Sequence, residues 1–401
     1  MFVCIEGAFR YAVDQGWVDS FIQDERTDIS WRDLRIDSHK PLSETEIYKS
    51  TPWAEQWLSE VAQMNRGVKF TPYNVWANAP HNGESMTIDD EGFREIIPEF
   101  SIKLGDVVKI FFFGGSTVAG GTLSRDKDLI PSKVCANLNY RYQKIRFLCK
   151  NYGHNGYNST NEILLFNKLI IRGDVPDYAV FYHGVNDVTQ QVGYGRPHNF
   201  DNVFEWAVRI AQDPTHYQRI RVRLLQIVLD TSMLLRWAIG YERKNIIPLY
   251  VEIPAPSFRT DSDILSQAAA EVARDLFGKY KVINAISSGF GIKSAFFIQP
   301  SLFTTTKKLT PVEEELKLRH IKLVPYLVEA FMLTDAALRK KTKREKLPNI
   351  VDARHFLDSA TENVFFDLAH TSPYGNAIIA DSLSQSIVDL FSLDKKYGSL
   401  E

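Results

Sequence analysis

An alternation of buried strand, loop and helix between residues 106 and 187 constrains the fold of this chain more than any other feature. Residues 107–113 form an almost wholly apolar run that ends in Gly114-Gly115, as expected of a parallel strand covered on both faces. Similar runs occupy residues 145–149 and 178–182, and helical patterns over 129–140 and 159–171 separate the three. The order of elements predicts βαβ units, and therefore a parallel sheet with helices on both faces.

The same pattern resumes near the end of the chain, with strands predicted at 294–300 and 349–352. Residues 191–290 interrupt it with two long helical stretches. We therefore predict a core of residues 101–190 and 291–395, an N-terminal extension over 1–100, and a helical insertion over 191–290. In the stretch 217–239 the apolar residues cover more than one helix face. This favours burial in a lid or an oligomer contact over membrane contact, and leaves a homo-oligomer open.

The balance of charges argues against a nucleic-acid partner. Lysine plus arginine number 47 against 49 aspartate plus glutamate, a net charge of −2. No broad basic field is available for the phosphates of a nucleic acid, so we expect no nucleic-acid partner. The length of 401 residues fits two domains, or one α/β domain with large insertions.

Three cysteines and the N-terminal residues bear on the compartment. Cys4, Cys135 and Cys149 show no short CxxC spacing, which predicts buried or idle thiols and neither a zinc site nor a disulfide framework. The start of the chain has no basic region and carries Glu6 and Arg10, so it does not resemble a secretory signal. No uncharged apolar run reaches about 18 residues. We expect a soluble chain, cytoplasmic by default and exported if its natural start is missing.

Ser116 is the first candidate for chemistry. It follows Gly114-Gly115 at the tip of a predicted strand, where a sharp turn can expose a nucleophilic hydroxyl. An ordinary glycine-serine turn explains the same residues. Val118 stands where a GxSxG elbow needs glycine, and no lysine follows as in a phosphate-binding loop.

A serine nucleophile needs a base and donors for an oxyanion. Asp367 and His370 are spaced so that the carboxylate can orient the imidazole and leave its other nitrogen free. Asp352 and His355 have the same spacing, and the sequence favours the first pair without deciding between them. Two other strand-end loops supply candidate oxyanion donors, the backbone of Gly156 and the side chain of Asn186. Either residue alone is more typical of a turn.

Taken together, four blocks in order resemble the SGNH (GDSL-like) hydrolase family: FFFGGSTVAGG, NYGHNGYNST, YHGVNDV and DLAHTSPYGN. The resemblance implies a three-layer α/β/α sandwich with a flavodoxin-like parallel sheet, and activity without a metal or cofactor. It implies Ser116 as nucleophile, His370 as base and Asp367 as its orienting acid. It further implies an oxyanion hole from the N–H groups of Ser116 and Gly156 and the Asn186 amide. Gly115 departs from the family by replacing the aspartate of GDS, which puts the rigidity of the loop in doubt.

The resemblance implies a serine esterase that removes small acyl groups such as acetyl from a small-molecule or polysaccharide ester. An O-acyltransferase using the same acyl-enzyme, and a non-catalytic carbohydrate-binding protein, are the alternatives. Segments 73–76, 92–94 and 297–300 are loosely similar to bacterial members linked to envelope polysaccharide. The alternative for two of these residues, Trp76 and Phe93, is that they only pack the N-terminal extension onto the sheet.

Overall fold

The computed structural model describes residues 34–37, 44–48, 51–63, 68–71, 75–96, 106–121, 123–192 and 262–398. All of them belong to one compact unit, Ser30–Asn202 with Ser257–Glu401. The candidate lid at 217–239, the first residues of the chain and Cys4 lie outside the described residues.

Helices and strands follow the alternation that the sequence predicts. The described α-helices of four or more residues are α1 (Ala54–Gln63), α2 (Ser116–Ala119), α3 (Ile130–Arg141), α4 (Ser159–Ile171), α5 (Ser262–Gly289), α6 (Pro311–Leu323), α7 (Pro325–Glu345), α8 (Pro373–Phe391) and α9 (Leu393–Tyr397). The strands are β1 (Val68–Thr71), β2 (Val75–Asn78), β3 (His81–Asn82), β4 (Thr87–Ile88), β5 (Asp106–Gly114), β6 (Ile145–Gly153), β7 (Tyr178–His183), β8 (Lys293–Ile298) and β9 (Ile350–Asp352).

A five-stranded parallel sheet in the order β6-β5-β7-β8-β9 forms the centre. Helices α3 and α8 pack together on one face, and α4 and α5 cover the other, with α7 packed against α5. The prediction of a three-layer α/β/α sandwich is confirmed. β1 with β2 and β3 with β4 form two small antiparallel pairs before the sheet begins. Among the described residues, no helix is both long and apolar enough to cross a bilayer.

Aromatic side chains from neighbouring strands lock the middle of the sheet. The ring of Phe113 stacks on Phe181 with centroids 4.7 Å apart, and Phe181 stacks on Phe296 at 5.3 Å. All three side chains are fully buried, and burying one such side chain stabilises the fold by roughly 1.5–3 kcal/mol. The strands are thereby held in register, and the loops at their carboxyl ends start from fixed positions.

Helix α5 corrects the predicted boundary of the insertion. The sequence places residues 191–290 outside the core, but α5 packs against α4, α7 and β8. Its inward residues, among them Val272 and Tyr280, are fully buried. It is the crossover helix between β7 and β8, because two adjacent parallel strands need such a connection across one face of the sheet. The described part of the predicted insertion therefore belongs to the sandwich.

The prediction of buried or idle thiols is wrong for two of the three cysteines. Cys135 on α3 and Cys149 on β6 form a disulfide across 14 residues of sequence. Both are buried where helix and strand pack together, a proximity that their sequence spacing does not show. Closing a loop of this length contributes about 3 kcal/mol in the chain-entropy description. Disulfides are typical of proteins in oxidising compartments.

Candidate active site

Ser116 lies at the carboxyl edge of the sheet, where β5 turns directly into the short helix α2. The carbonyl of Gly115 accepts hydrogen bonds from the backbone N–H groups of Val118 at 3.1 Å and Ala119 at 3.0 Å. At Gly114 a side chain would come within 2.4 Å of the carbonyl oxygen of Tyr182 on the neighbouring strand. The turn is therefore tight, and it leaves Ser116 half-buried with its hydroxyl at the edge where the strand-end loops meet.

Asp367 and His370 reach this serine from a loop 254 residues later in the chain. The Nε2 atom of His370 lies 2.7 Å from Ser116 Oγ, and its Nδ1 atom lies 2.7 Å from Asp367 Oδ2. The other carboxylate oxygen of Asp367 accepts the N–H groups of Ala369 and His370, both at 2.9 Å. This continuous hydrogen-bonded chain has the geometry in which an imidazole can take a proton from a serine hydroxyl.

The competing pair, Asp352 and His355, is not brought to Ser116. The carboxylate of Asp352 accepts hydrogen bonds from Arg354, at 3.2 Å from its backbone N–H and 2.6 Å from Nε. It caps a short 3-10 turn at the end of β9. The imidazole of His355 instead lies against Phe356, with ring centroids 5.1 Å apart.

Electrostatics favour an ionised Asp367 and a basic His370. Burial opposes ionisation of Asp367, but the charge of His370 and the hydrogen bonds to the carboxylate prevail and lower its pKa. For His370, burial favours the neutral ring, yet the Asp367 carboxylate outweighs it and raises the pKa above its ordinary value. The positive charge of Arg35 acts in the opposite direction.

The raised pKa of His370 predicts the position of the acid limb of a pH profile. A general base must be unprotonated, so kcat/KM is expected to rise with pH through an apparent pKa above the ordinary 6.5. In Asp367→Asn the carboxylate that raises the pKa of His370 is absent, while the burial that lowers this pKa remains. The acid limb is therefore expected to move to lower pH. Activity should also fall by about 10⁴-fold. Profiles of kcat/KM for both proteins check this, and a wild-type limb below 6.5 contradicts it.

Asn186 and Gly156 come from the loops that follow β7 and β6. The Asn186 amide donates one hydrogen bond to the carbonyl of Tyr157 at 2.7 Å, which ties the two loops together. Gln190 strengthens the tie, because its amide donates to the carbonyl of Gly156 at 2.7 Å. Gly156 has a φ of 79°, a left-handed conformation that favours glycine. The structure thus brings both residues to the loops that border Ser116.

The Asn186 loop is anchored from below by a buried polar cluster that the sequence did not reveal. The carboxylate of Asp187, fully buried, accepts hydrogen bonds from the backbone N–H and the hydroxyl of Ser159. Lys279 on α5 donates to the same hydroxyl at 2.7 Å. Beside it, His183 bonds Glu162 at 2.5 Å and the Tyr280 hydroxyl at 2.9 Å. Lys279 Nζ also lies 3.9 Å from Asp187 Oδ1; because this cation comes from α5, far along the chain, no local sequence pattern predicts the pair.

Gly115, where the sequence departs from GDS, has no space for a side chain. A Cβ atom there would lie 2.3 Å from Asn186 Nδ2 and 3.0 Å from the Tyr157 carbonyl oxygen. Gly115→Ala is therefore expected to displace the Asn186 amide and lower kcat by about 10- to 100-fold, since small misplacements of this kind carry such costs.

A matched control for that variant is Gly278→Ala within α5, where nothing lies within 4 Å of the added Cβ. Replacing glycine inside a helix stabilises it by about 1 kcal/mol, so this control should keep its activity. Steady-state kinetics and thermal unfolding of the two variants check the prediction. Full activity in a folded Gly115→Ala protein would contradict it.

Trp76 from the N-terminal extension packs on the loop that contains Gly156, and Phe93 packs on the strand before that loop. The indole N–H of Trp76 donates to the carbonyl of Asn155 at 3.2 Å, and the Tyr157 hydroxyl donates to the carbonyl of Trp76 at 2.8 Å. Phe93 packs edge-on against Tyr152, with centroids 5.2 Å apart. Gln299, from the segment 297–300, accepts a hydrogen bond from Thr117 at 3.3 Å, directly beside Ser116.

The part of the chain that the structure describes contains no group of three or more His, Cys, Asp or Glu side chains arranged to hold a metal ion.

Comparison with known proteins finds likeness only among solved structures. No family model matches this sequence, and no curated protein is significantly similar to it. A lipase from a goat rumen metagenome, Lip_vut3, matches at 11% identity and a TM-score of 0.39, over 70% of this chain and 97% of its own.

Two further structures match with similar coverage. The acetylxylan esterase Axe2 from Geobacillus stearothermophilus shows 13% identity and a TM-score of 0.30, over 71% of this chain and 96% of its own. A G-D-S-L family lipolytic protein from Veillonella parvula shows 13% identity and a TM-score of 0.34, over 71% and 98%. In its four sequence blocks, the chain is similar to the SGNH (GDSL-like) hydrolases.

Proposed function

We propose that this protein is a serine esterase that cleaves carboxylic esters through an acyl-enzyme on Ser116. The observation that carries the proposal is the hydrogen-bonded chain from Ser116 Oγ to His370 Nε2 and from His370 Nδ1 to Asp367 Oδ2, both at 2.7 Å. A serine hydroxyl is a weak nucleophile until an adjacent base accepts its proton. The described residues supply such a base, already oriented by a carboxylate.

Acylation uses these groups in turn. Ser116 Oγ attacks the ester carbonyl carbon while its proton passes to His370 Nε2, and the imidazolium is stabilised by Asp367. The carbonyl oxygen gains the negative charge of the tetrahedral intermediate. In this proposal the backbone N–H groups of Ser116 and Gly156 and the Asn186 amide donate to it. Collapse breaks the bond to the alcohol, which leaves with the proton from His370.

Deacylation repeats the sequence with water as the nucleophile. His370 takes a proton from water, the hydroxide adds to the acyl carbon, and collapse releases the carboxylic acid as Ser116 recovers its proton. For the substrate we propose small acyl groups, acetyl first, carried by a carbohydrate. Support for this choice comes from the resemblance of the four sequence blocks to the SGNH hydrolases.

Three assays test the proposed function. Release of 4-nitrophenol from acetate and butyrate esters measures ester cleavage and sizes the acyl pocket. A fluorophosphonate should label the native protein, with the adduct mapped to Ser116. With an acetylated sugar as substrate and a second sugar as acceptor, free acetate is the expected product. Acylated acceptor in preference to acetate would replace hydrolysis with acyl transfer. Binding of a sugar with neither turnover nor labelling would favour a carbohydrate-binding protein.

A further inference from the structure

Arg35, in the N-terminal extension, is held against the loop that carries Asp367 and His370. The N–H of Ile36 donates to the carbonyl of Phe366 at 2.8 Å, and the N–H of Phe366 donates in turn to the carbonyl of His370 at 2.8 Å. Arg319 on α6 donates to the carbonyl of Arg35 at 3.0 Å. The backbone around residue 35 is therefore fixed directly beside the triad loop.

The guanidinium of Arg35 lies over the ring of Phe366, with Cζ 5.4 Å from the ring centroid. Phe366 is fully buried and precedes Asp367 in the chain. Stacking on an aromatic ring holds the cation in place but uses none of the five N–H donors of the guanidinium. Among the described residues, no carboxylate forms an ion pair with Arg35, and the residue is half-buried.

A fixed cation at this position works against the triad. The His370 ring becomes positively charged when it accepts the serine proton, and the positive charge of Arg35 opposes this by lowering the pKa of His370. Such a cost at the reacting centre is offset if the same cation binds part of the substrate. An arginine fork matches a carboxylate or phosphate in geometry as well as in charge.

We propose that Arg35 forms an anion subsite beside the triad, which selects esters whose acyl or alcohol portion carries a carboxylate or another anionic group. A uronic acid unit of an acylated polysaccharide has this chemistry on the alcohol side, and a dicarboxylic acid half-ester has it on the acyl side. The inference rests on the proposed esterase function and narrows its substrate class.

Matched pairs of esters test the subsite on each side of the scissile bond. For the alcohol side the pair is 4-acetoxybenzoate and 4-acetoxybenzamide, and for the acyl side it is mono-4-nitrophenyl succinate and 4-nitrophenyl butyrate. The expected result is a preference for the anionic member of at least one pair in the wild type. The preference is the ratio of kcat/KM for the anionic ester to kcat/KM for its neutral partner. Arg35→Gln should lower this ratio by at least about 10-fold, the size typical of a bidentate charge-assisted contact. Added salt should lower it as well.

Arg274→Gln is the control for the loss of one positive charge, since Arg274 on α5 is 61% exposed; it should leave the ratio unchanged. Equal ratios in the wild type and Arg35→Gln for both pairs would overturn the anion subsite. Failure of the proposed esterase function would give a different result: no ester would be turned over, or Ser116→Ala would turn over esters as fast as the wild type.

Binding provides a readout that does not need turnover. The amides 4-acetamidobenzoate and 4-acetamidobenzamide differ only in the anionic group, and calorimetric titration gives their Kd values. The wild type should bind the benzoate more tightly, and Arg35→Gln should bind the two equally. The same Kd for both compounds in the wild type would exclude an anion subsite on the alcohol side even if the protein were not an esterase.

Discussion

Replacing Ser116 by alanine is expected to lower kcat for 4-nitrophenyl acetate by about 10⁴- to 10⁶-fold, the range found when a serine nucleophile is removed from a triad. The reason is chemical. Without Oγ there is no acyl-enzyme, and His370 keeps only the activation of water. The lost hydrogen bond to His370 costs about 1 kcal/mol of stability, so the variant should remain folded. Stopped assays at high enzyme concentration, beside thermal unfolding, measure both quantities.

Ser386→Ala is a control for the chemistry of the substitution. Its hydroxyl donates to the carbonyl of Ser382 at 2.8 Å within α8, so its loss should affect stability slightly and kcat not at all. If Ser116→Ala retained more than about a hundredth of the wild-type kcat while folded, far above the residual activity of triad variants, Ser116 would not be the nucleophile.

Asn186→Ala is expected to lower kcat by about 10²- to 10³-fold, a loss of about 3–4 kcal/mol of transition-state stabilisation. The amide already gives one N–H to the carbonyl of Tyr157 at 2.7 Å, and its second N–H is the one we propose for the oxyanion. Because that charge develops only in the transition state, kcat should fall with little change in KM.

Removing the hydrogen bond to Tyr157 also costs about 1 kcal/mol of stability. The control is therefore an asparagine outside the site whose amide makes a similar hydrogen bond. Asn137→Ala serves, since its amide donates to Asp381 on α8 at 2.8 Å and takes no part in the site. Equal kcat in Asn186→Ala, Asn137→Ala and wild type would remove Asn186 from the oxyanion hole. A rise in KM alone would assign it to substrate binding instead.

Strands and block order were accessible from the sequence because their signals are local. A strand buried on both faces must be apolar almost throughout, so residues 107–113 and 178–182 indicate β5 and β7 without reference to the rest of the chain. Loops at the carboxyl ends of parallel strands share one edge of the sheet. By that rule, the loops that contain Ser116, Gly156 and Asn186 are expected at this edge.

The features that the sequence did not predict share one cause, which is packing between elements that are distant in the chain. Cys135 and Cys149 meet because α3 lies on β6, and the sequence shows their spacing but not that contact. The sequence predicts α5 as part of the insertion, whereas its buried face packs against β8 and the neighbouring helices. Gly115 replaces the aspartate of the GDS motif, and the structure shows that the Asn186 amide occupies the space where a side chain would lie.

The sequence by itself determined the class of fold, the order of the strand-end loops and the residues with the chemistry of a nucleophile, a base and an orienting acid. These depend on side-chain type and on periodicity, which short segments carry. Only the tertiary structure decided that His370, and not His355, lies against Ser116, and that Arg35 lies beside the triad loop. Such choices depend on contacts between segments hundreds of residues apart, which form only when the sheet, its helices and the N-terminal extension pack together.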